Sequence, residues 1–578
     1  MDSRTAAHAL NQIARYLELH GEGRFKVRAY QQAARAVQAL DSDDLGAPLR
    51  SGELEKVPGL GPASISVIRD LAETGDSSLL DRLRESTPEG LLEMLRVPGL
   101  GPAKIHLIHT ELDVDSLQQL EDAARDGRLA TVKGFGPKTA EKVLKGIAFM
   151  RKSDALVLYP HAAAEAARLL AAVRSHPDVV RAEVAGSIRR RREVIRSVSI
   201  VAACRDAAAT RVASSFAHAP GVSEVMGGGG RAVQIRYVDG TLLDLRCVAE
   251  PELAVALWRA TGDGTHAGAV VARLAQRGLT LDGDTLRGAD GAAVAVPDEA
   301  TLYARAGLAY VPPEMREGCG EVEAAATHTL PHLIEFDDVR GVLHAHSEFS
   351  DGESTIREMA EAARARGWSY LGVTDHSQSA FYAGGLSRDA VQRQHEEIDR
   401  LNTELDGFRV LKGIEADILP CGRVDYDGQT LDQFDYVIGS IHSRFGMNEA
   451  QMTDRVLKAM DDPHMTVLGH PTGRLLLTRE PYAIDMHAVL EAAAERGVAV
   501  ELNADPHRLD LDWRLCQTAR RLGVTIEIGP DAHSVNGLDN MRLGIDIARK
   551  GWLGAGDVLN ARPADEVLEF ARKRRQQG

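Results

Sequence analysis

The chain reads as a multidomain α+β and α/β protein, and three observations predict this. The stretch ahead of Asp154 carries helical periodicity and a repeated Gly-x-Gly device. Strands and helices alternate from Asp154 to about Pro312. Behind them comes a series of strand and helix units whose apolar strands end in His, Asp or Glu. At 578 residues the chain exceeds what one core supports, so at least two domains are expected. Its 44% hydrophobic and 26% charged residues are ordinary for a folded protein. The formal charge of -16 is uneven: residues 1–312 hold 39 Lys+Arg against 39 Asp+Glu, while 313–578 hold 29 against 45, so the net acidity lies in the back half.

Cys204, Cys247, Cys319, Cys421 and Cys516 lack CxxC spacing, which suggests neither a zinc finger nor a disulfide framework and predicts reduced, mostly buried thiols. The N-terminal segment has no apolar core of a signal peptide, and no stretch is long enough to cross a bilayer; no membrane association and a cytoplasmic location are expected.

In the front region, apolar residues recur at helical spacing in Ile13-Ala14-Arg15-Tyr16-Leu17 and Leu91-Leu92-Glu93-Met94-Leu95. Three copies of a turn, VPGLGPASISVI from Val57, VPGLGPAKIHLI from Val97 and VKGFGPKTAEKVL from Val132, start 40 and 35 residues apart. The pairs Gly59/Gly61, Gly99/Gly101 and Gly134/Gly136 permit positive φ and close approach of backbone to a ligand. The helix that follows each pair presents free N–H groups and a positive dipole end. The copies resemble helix-hairpin-helix motifs, which grip the phosphodiester chain without reading sequence.

In the middle region, AGSIRRRREV sets Gly186-Ser187 in a turn before Arg189, Arg190, Arg191 and Arg192. Four guanidinium groups beside a Gly-Ser turn suit a triphosphate or a DNA strand, set against the plainer reading of a solvated basic face.

The back region places candidate metal ligands at or just past strand ends. GVLHAHSEFSDG gives His344, His346 and Asp351; YLGVTDHS gives His376; RVLKGIEADI gives Glu415; YVIGSIHS gives His442; TVLGHPTGR gives His470; VTIEIGPDAH gives Asp531 and His533. Amphipathic helices such as IREMAEAARARG and MHAVLEAAAERG separate them, predicting a (β/α) barrel or a distorted relative. One histidine on a helix is commonly structural. Histidines and acids at several successive strand ends converge on one pocket and read as a metal centre. Arg474 and Arg444, just after ligands, are candidates for nonbridging phosphate oxygens, with surface ion pairs as the alternative.

The Gly-Ser-x-Arg-Arg turn, the strand positions after it, the three hairpins, the segment Val311 to Ala325 and the back region together resemble bacterial family X DNA polymerases (PolX type) with a C-terminal polymerase and histidinol phosphatase (PHP) domain. The resemblance covers nearly the whole chain. It implies an 8-kDa-like helical domain with the first hairpin (1–85), a fingers-like domain with the second and third (86–153) and a nucleotidyltransferase-like palm (154–250). A thumb (251–312), a linker (313–337) and a distorted (β/α)7 PHP barrel (338–578) follow. It further implies that all nine ligands named above hold three ions, usually Zn2+ or Mn2+, and that the activity is a 3′-5′ exonuclease in DNA repair. Gly186, Ser187, Arg189 and Arg190 would bind a deoxynucleoside triphosphate, and the hairpin glycines would bind gapped, nicked or 3′-ended DNA, in a monomer.

The palm departs from that pattern. Where the family has two aspartates two residues apart on one strand face, this chain has Ser197 and Ser199, leaving only the third acid, Asp244. A neutral hydroxyl supplies no charge to fix Mg2+ or Mn2+, so any palm catalysis would rest on Asp244 with Glu193 or Asp206. In the thumb, Arg259-Ala260 replaces an aromatic pair before Thr261-Gly262-Asp263, and Ala267 and Gly268 follow His266. The leading expectation is an active exonuclease with a weak or absent conventional polymerase. The alternatives are a gap-filling polymerase with atypical metal coordination, and a DNA-binding scaffold whose barrel hydrolyses a small phosphomonoester.

Overall fold

In the computed structural model, which describes residues 3–38, 40, 44–75, 77–153, 156–205 and 207–576, the three glycine repeats each turn the chain into a new helix. Gly59, Gly99 and Gly134 have φ of 97°, 85° and 90°, a region that glycine enters without strain. Gly61 and Gly101 cap Pro62–Thr74 and Pro102–Leu112, each with proline in the first turn where its missing N–H costs nothing; Pro137–Ser153 follows Gly136 in the same way. These helices belong to the first of two compact units, Met1–Ala155 and Leu156–Gly578. The first unit holds two separate apolar cores, one built around Leu10, Ile13, Ala34 and Ile68, the other around Met94, Ile105, Leu120 and Ile147. Asp206, one of the two auxiliary palm acids considered above, lies outside the described residues.

The second unit begins with a five-stranded sheet of β1 (Val179–Ala185), β2 (Val198–Cys204), β3 (Val222–Gly229), β4 (Ala232–Tyr237) and β5 (Leu242–Ala249), in the order β1-β2-β5-β4-β3. Only β2 and β5 are parallel, and their register sets Ser199 beside Asp244. Seven parallel strands follow in sequential order: β6 (Gly341–Val342), β7 (Tyr370–Val373), β8 (Arg409–Asp417), β9 (Tyr436–Ser440), β10 (Met465–Leu468), β11 (Ala499–Asn503) and β12 (Ile526–Gly529). Strands β6, β7, β9, β10, β11 and β12 are buried throughout their length. That is why they read as unbroken apolar runs: both faces of a parallel sheet are covered.

The helices between them carry ordinary start signals. Thr355 and Glu358 form a capping box on Ile356–Ala365, which turns Ile356, Met359, Ala360 and Ala363 inward at three and four spacing. The first and last strands are joined by a parallel bridge at Ala345 and Ala532 and by one side chain. The Asn560 amide donates to Gly341 O (3.1 Å) and Ile528 O (2.9 Å) and accepts from Ile528 N–H (3.1 Å), standing in for a peptide group and closing the seam.

Within this unit the four arginines of the run are partly buried, and each is paired with an acid. Arg189 and Arg316 grip Glu299 from two sides at 2.6 Å each, and Arg189 also donates to Thr261 Oγ1 (3.0 Å). Arg190 (2.9 Å), Arg192 (3.0 Å) and the buried Lys550 converge on Glu317. Arg191 lies 3.4 Å from Asp546, and Arg514 reaches Glu193 at 3.2 Å. These pairs tie the sheet, the 313–317 segment and the barrel helices together.

One such contact has a pH signature. Burial pushes the Asp546 carboxyl up to about 6 despite Arg191 nearby. Since its unfolded value is near 3.8, the folded state binds the extra proton between those values. The stability that this group contributes is therefore fully present below about pH 4 and is lost as pH rises through 6. Asp546→Asn is expected to remove this decline, so that the urea midpoint of the variant minus that of the unaltered protein grows from pH 4 to pH 7 by the equivalent of about 1–2 kcal/mol. A difference constant across that range would show that Asp546 does not change its protonation on folding.

Candidate metal centre

The C-terminal ends of the barrel strands bring the nine expected ligands together. His344 and His346 follow β6, His376 follows β7, Glu415 lies in β8, His442 follows β9, His470 follows β10, and Asp531 and His533 follow β12. Three overlapping groups each have ligand atoms within 4.8 Å of one another: His346, Asp351, His376 and His533; His344, His346 and Asp531; and His376, Glu415 and His442. His470 completes the set, with Nε2 3.0 Å from Glu415 Oε1 and 3.3 Å from His442 Nε2.

Glu415 is the hub. Its Oε1 faces His470 (3.0 Å), His442 (3.3 Å) and His344 (3.6 Å), and its Oε2 faces His376 (2.9 Å) and His346 (3.7 Å). Two positions near it hold strained backbone: His470 has φ 21° and Asp531 φ 50°, a cost that clusters at functional sites.

Orientation comes from a second layer that sequence reasoning passed over. Glu501, fully buried on β11, accepts from His344 Nδ1 (2.6 Å) and His470 N–H (2.5 Å). Asp417 faces His442 Nδ1 (2.7 Å), and the Asp531 carbonyl faces His533 Nδ1 (2.9 Å). With Nδ1 engaged, Nε2 of each ring is left toward the cluster. Asn503 donates to Asp531 Oδ2 (3.0 Å), and Arg508 Nε lies 3.6 Å from the same oxygen. A signal was present: Glu501 and Asn503 are polar residues inside the otherwise apolar strand AVELN, and Asp417 stands two residues past Glu415.

The donor set fits divalent cations. His344 Nε2 and both ring nitrogens of His346 are buried and make no hydrogen bond, facing carboxylate oxygens across 3.2–3.7 Å instead. Burial opposes ionisation of Glu415 and Asp531, yet the surrounding histidines outweigh it and hold both carboxyls well below their usual range. Against burial, Glu415 with Asp351 raises His376 to about 10, and Glu415 with Asp417 raises His442 to about 9. Burial and neighbouring positive charge keep His346 down at about 4. Ionised carboxylates mixed with imidazole suit borderline metals, and ligation requires that the raised histidines give up protons.

Arg474 does not face this cluster. Its guanidinium donates to Asp512 (2.5 Å), Arg508 O (2.9 Å) and Leu509 O, so it supports the loop that carries Arg508. Arg444 is exposed.

The sheet in front presents a different picture. Asp244 accepts from Ser197 Oγ at 2.6 Å on one oxygen and from Gln234 Nε2 on the other, so both carboxylate oxygens meet neutral donors. Glu193, considered as an auxiliary acid, is buried and paired with Arg514. Gly186 has φ 63° and opens the short helix Gly186–Arg189; a Cβ there would lie 2.8 Å from Ser199 Oγ, and the Ser187 carbonyl accepts Arg192 N–H at 3.0 Å. Arg189 and Arg190, expected as part of a triphosphate clamp, are paired with Glu299 and Glu317. His266 is internal, between Glu321 (2.6 Å) and Tyr303 (2.7 Å).

A seven-strand parallel barrel with this cluster at its mouth defines a PHP-type domain, and the family model described as PHP domain matches residues 343–505. Other models match a helix-hairpin-helix domain (1–77), a SAM-like helix-hairpin-helix tandem (91–148) and a DNA polymerase beta thumb (256–317). A protein of Bacillus subtilis (strain 168), the "DNA polymerase/3'-5' exonuclease PolX", is 35% identical over 576 residues, 99% of this chain and 100% of the relative. The chain belongs to the PolX family of bacterial family X DNA polymerases. The barrel region alone is also similar to a "probable phosphatase" of Syntrophotalea carbinolica, 28% identical over 39% of this chain and 94% of the relative. Another, from Shewanella sp. (strain MR-4), is 30% identical over 40% of this chain and 90% of the relative. No helix among the described residues is long and apolar enough to cross a membrane.

Proposed function

We propose that the barrel is a metal-dependent phosphodiesterase that removes nucleotides from the 3′ end of DNA during repair, and that the palm has no conventional polymerase activity. The single observation that carries this is the contrast between the two acid sites: five histidines crowd Glu415, whereas Asp244 is satisfied by a serine and a glutamine. His344, His346, Asp351, His376, Glu415, His442, His470, Asp531 and His533 would hold three Zn2+ or Mn2+ ions. Such ions supply Lewis acidity toward a phosphodiester and acidify water to about pKa 7. The chain's own part is to fix ring orientation through Glu501 and Asp417, and to offer the Arg508 guanidinium to nonbridging oxygens in place of Arg474.

The hairpins are the DNA grip of this reading. Gly61, Gly101 and Gly136 have open space where a Cβ would stand, so packing does not require glycine there, while close approach of a phosphate does. The same proposal includes the six segments 1–85, 86–153, 154–250, 251–312, 313–337 and 338–578, a monomer, a cytoplasmic location and gapped, nicked or 3′-ended DNA as substrate. It assigns no Mg2+ to the palm and no deoxynucleoside triphosphate to Gly186, Ser187, Arg189 and Arg190.

A 5′-labelled primer on a template, incubated with manganese and all four deoxynucleoside triphosphates, tests this. The expected result is shortening, with Ser197→Asp/Ser199→Asp gaining extension. Primer extension by the unaltered protein, abolished in Asp244→Ala, would instead establish atypical polymerase coordination. The barrel-only likeness to the two phosphatases favours one further reading, hydrolysis of small phosphomonoesters, which predicts their turnover with the primer left intact.

A further inference from the structure

Between β7 and the helix Arg388–Glu404 lies a short turn, Phe381–Ala383, with Ala380 and Ala383 buried on either side of two large rings. The backbone there is pinned. Ser379 N–H donates to Asp425 (2.8 Å), Leu386 N–H to the His376 carbonyl (2.8 Å) and Gly385 N–H to the Ala380 carbonyl (3.1 Å). Packing at Gly385 is so close that a Cβ would lie 2.0 Å from Ser377 O. Yet Phe381 and Tyr382 are 86% and 64% exposed. A firmly held loop that keeps two adjacent aromatics in water forgoes burial of about 150–250 Å² for each, so packing does not account for them.

Their ring contacts lead to the metal centre. Phe381 and Tyr382 stand edge to face with centroids 6.4 Å apart, and Tyr382 lies 6.4 Å from the His376 ring and 6.5 Å from that of His442. The path therefore runs from two ligand rings to Tyr382 and outward to Phe381. At the mouth Asp351, Glu415 and Asp417 already face the His376 and His442 rings, so what the exposed Phe381 and Tyr382 add is ring surface, which favours a partner that brings apolar, flat surface. Nucleobases have that property, and every base has a face to stack irrespective of sequence.

We infer that Phe381 and Tyr382 form a nucleobase-stacking platform that receives the terminal bases of a single strand as its 3′ phosphodiester enters the cluster. The inference rests on the strand-cleaving reading above and adds the subsite that separates a strand end from a small phosphate ester. Only ring faces are required; the Tyr382 hydroxyl plays no part.

Full-length Phe381→Trp supplies a reporter, because Trp258, Trp368 and Trp513 are buried and Trp552 is half-buried. Without added metal, an oligothymidylate is expected to quench its emission saturably, while an abasic oligomer of equal length and charge leaves it unchanged. Equal quenching by both, or by neither, overturns the platform. In manganese-supported shortening, Phe381→Ala/Tyr382→Ala is expected to raise KM about tenfold on base-bearing 3′ ends, bringing it to the value for an abasic end, whereas Tyr382→Phe stays near the unaltered protein. An unchanged KM in the double variant, or a loss in Tyr382→Phe as large as in the double variant, also overturns it. Absence of any shortening would remove the strand-cleaving reading, and the fluorescence would still decide the platform.

Discussion

Glu415→Gln is expected to abolish strand shortening, lowering kcat by about 10³-fold or more, and to strip most bound metal from the barrel. The change keeps the shape of a fully buried side chain while removing its charge and one acceptor oxygen. Five histidines lie 2.9–3.7 Å from that carboxylate, whereas Asp531 and Asp351 each face three. Metal-ion assistance is worth several kcal/mol of transition-state stabilisation, and a factor of ten in rate corresponds to about 1.4 kcal/mol. Elemental analysis after dialysis against Mn2+ or Zn2+ reads the first effect, and single-turnover shortening of a labelled strand reads the second. DNA affinity measured without metal should stay within about twofold, because the hairpin glycines lie in the separate unit Met1–Ala155. A variant that retained both metal and rate would refute the assignment of Glu415 as the shared ligand.

The second large effect concerns stability. Glu317→Ala leaves Lys550, fully buried, and Arg190 without the carboxylate on which they converge with Arg192. Burial alone disfavours the Glu317 charge, yet Lys550 and the two arginines outweigh it and keep the group ionised below the ordinary range. Burial also lowers Lys550 to about 8 even with Glu317 beside it. Breaking a buried pair by removing one partner costs about 3–5 kcal/mol, and urea unfolding of the full chain should show a loss of that size in the unit Leu156–Gly578. Lys550→Met in the Glu317→Ala background should restore part of it, because the uncompensated ammonium is removed with its partner. Additive losses in that cycle would mean that the two groups are not coupled.

The clustering of these His, Asp and Glu side chains was legible because chemistry and period coincide: six of the seven apolar runs, β11 excepted, contain or lead into one of them, and a barrel brings strand ends to one mouth. The hairpins were legible for a similar reason, since left-handed backbone at Gly59, Gly99 and Gly134 demands a residue type visible in the letters. The pairing of the arginine run was not legible because it depends on acids 110 and 127 positions away, Glu299 and Glu317, and nothing local to AGSIRRRREV announces them. The direction of Arg474 was hidden likewise: adjacency to His470 along the chain says little once the backbone takes φ 21° at that histidine, and the side chain turns toward Asp512, an ion pair as in the alternative reading. Gln234 was invisible as a partner of Asp244 because only the pairing of β4 with β5 sets them opposite one another. Glu501 could have been found, as a charged residue within an apolar strand run that had nowhere to go but inward.

The amide of Asn560 has a consequence for how little of this chain could stand alone. The stretch that matches PHP domains stops at residue 505, short of β12, of Asp531 and His533, and of the clasp that fastens the last stave to the first. Cut there, the polypeptide would keep seven of the nine donors but lose the wall against which His344 and His346 are set. The smallest piece that keeps the clustered side chains together is therefore longer than the stretch matched by the PHP family model, and it runs at least through residue 560.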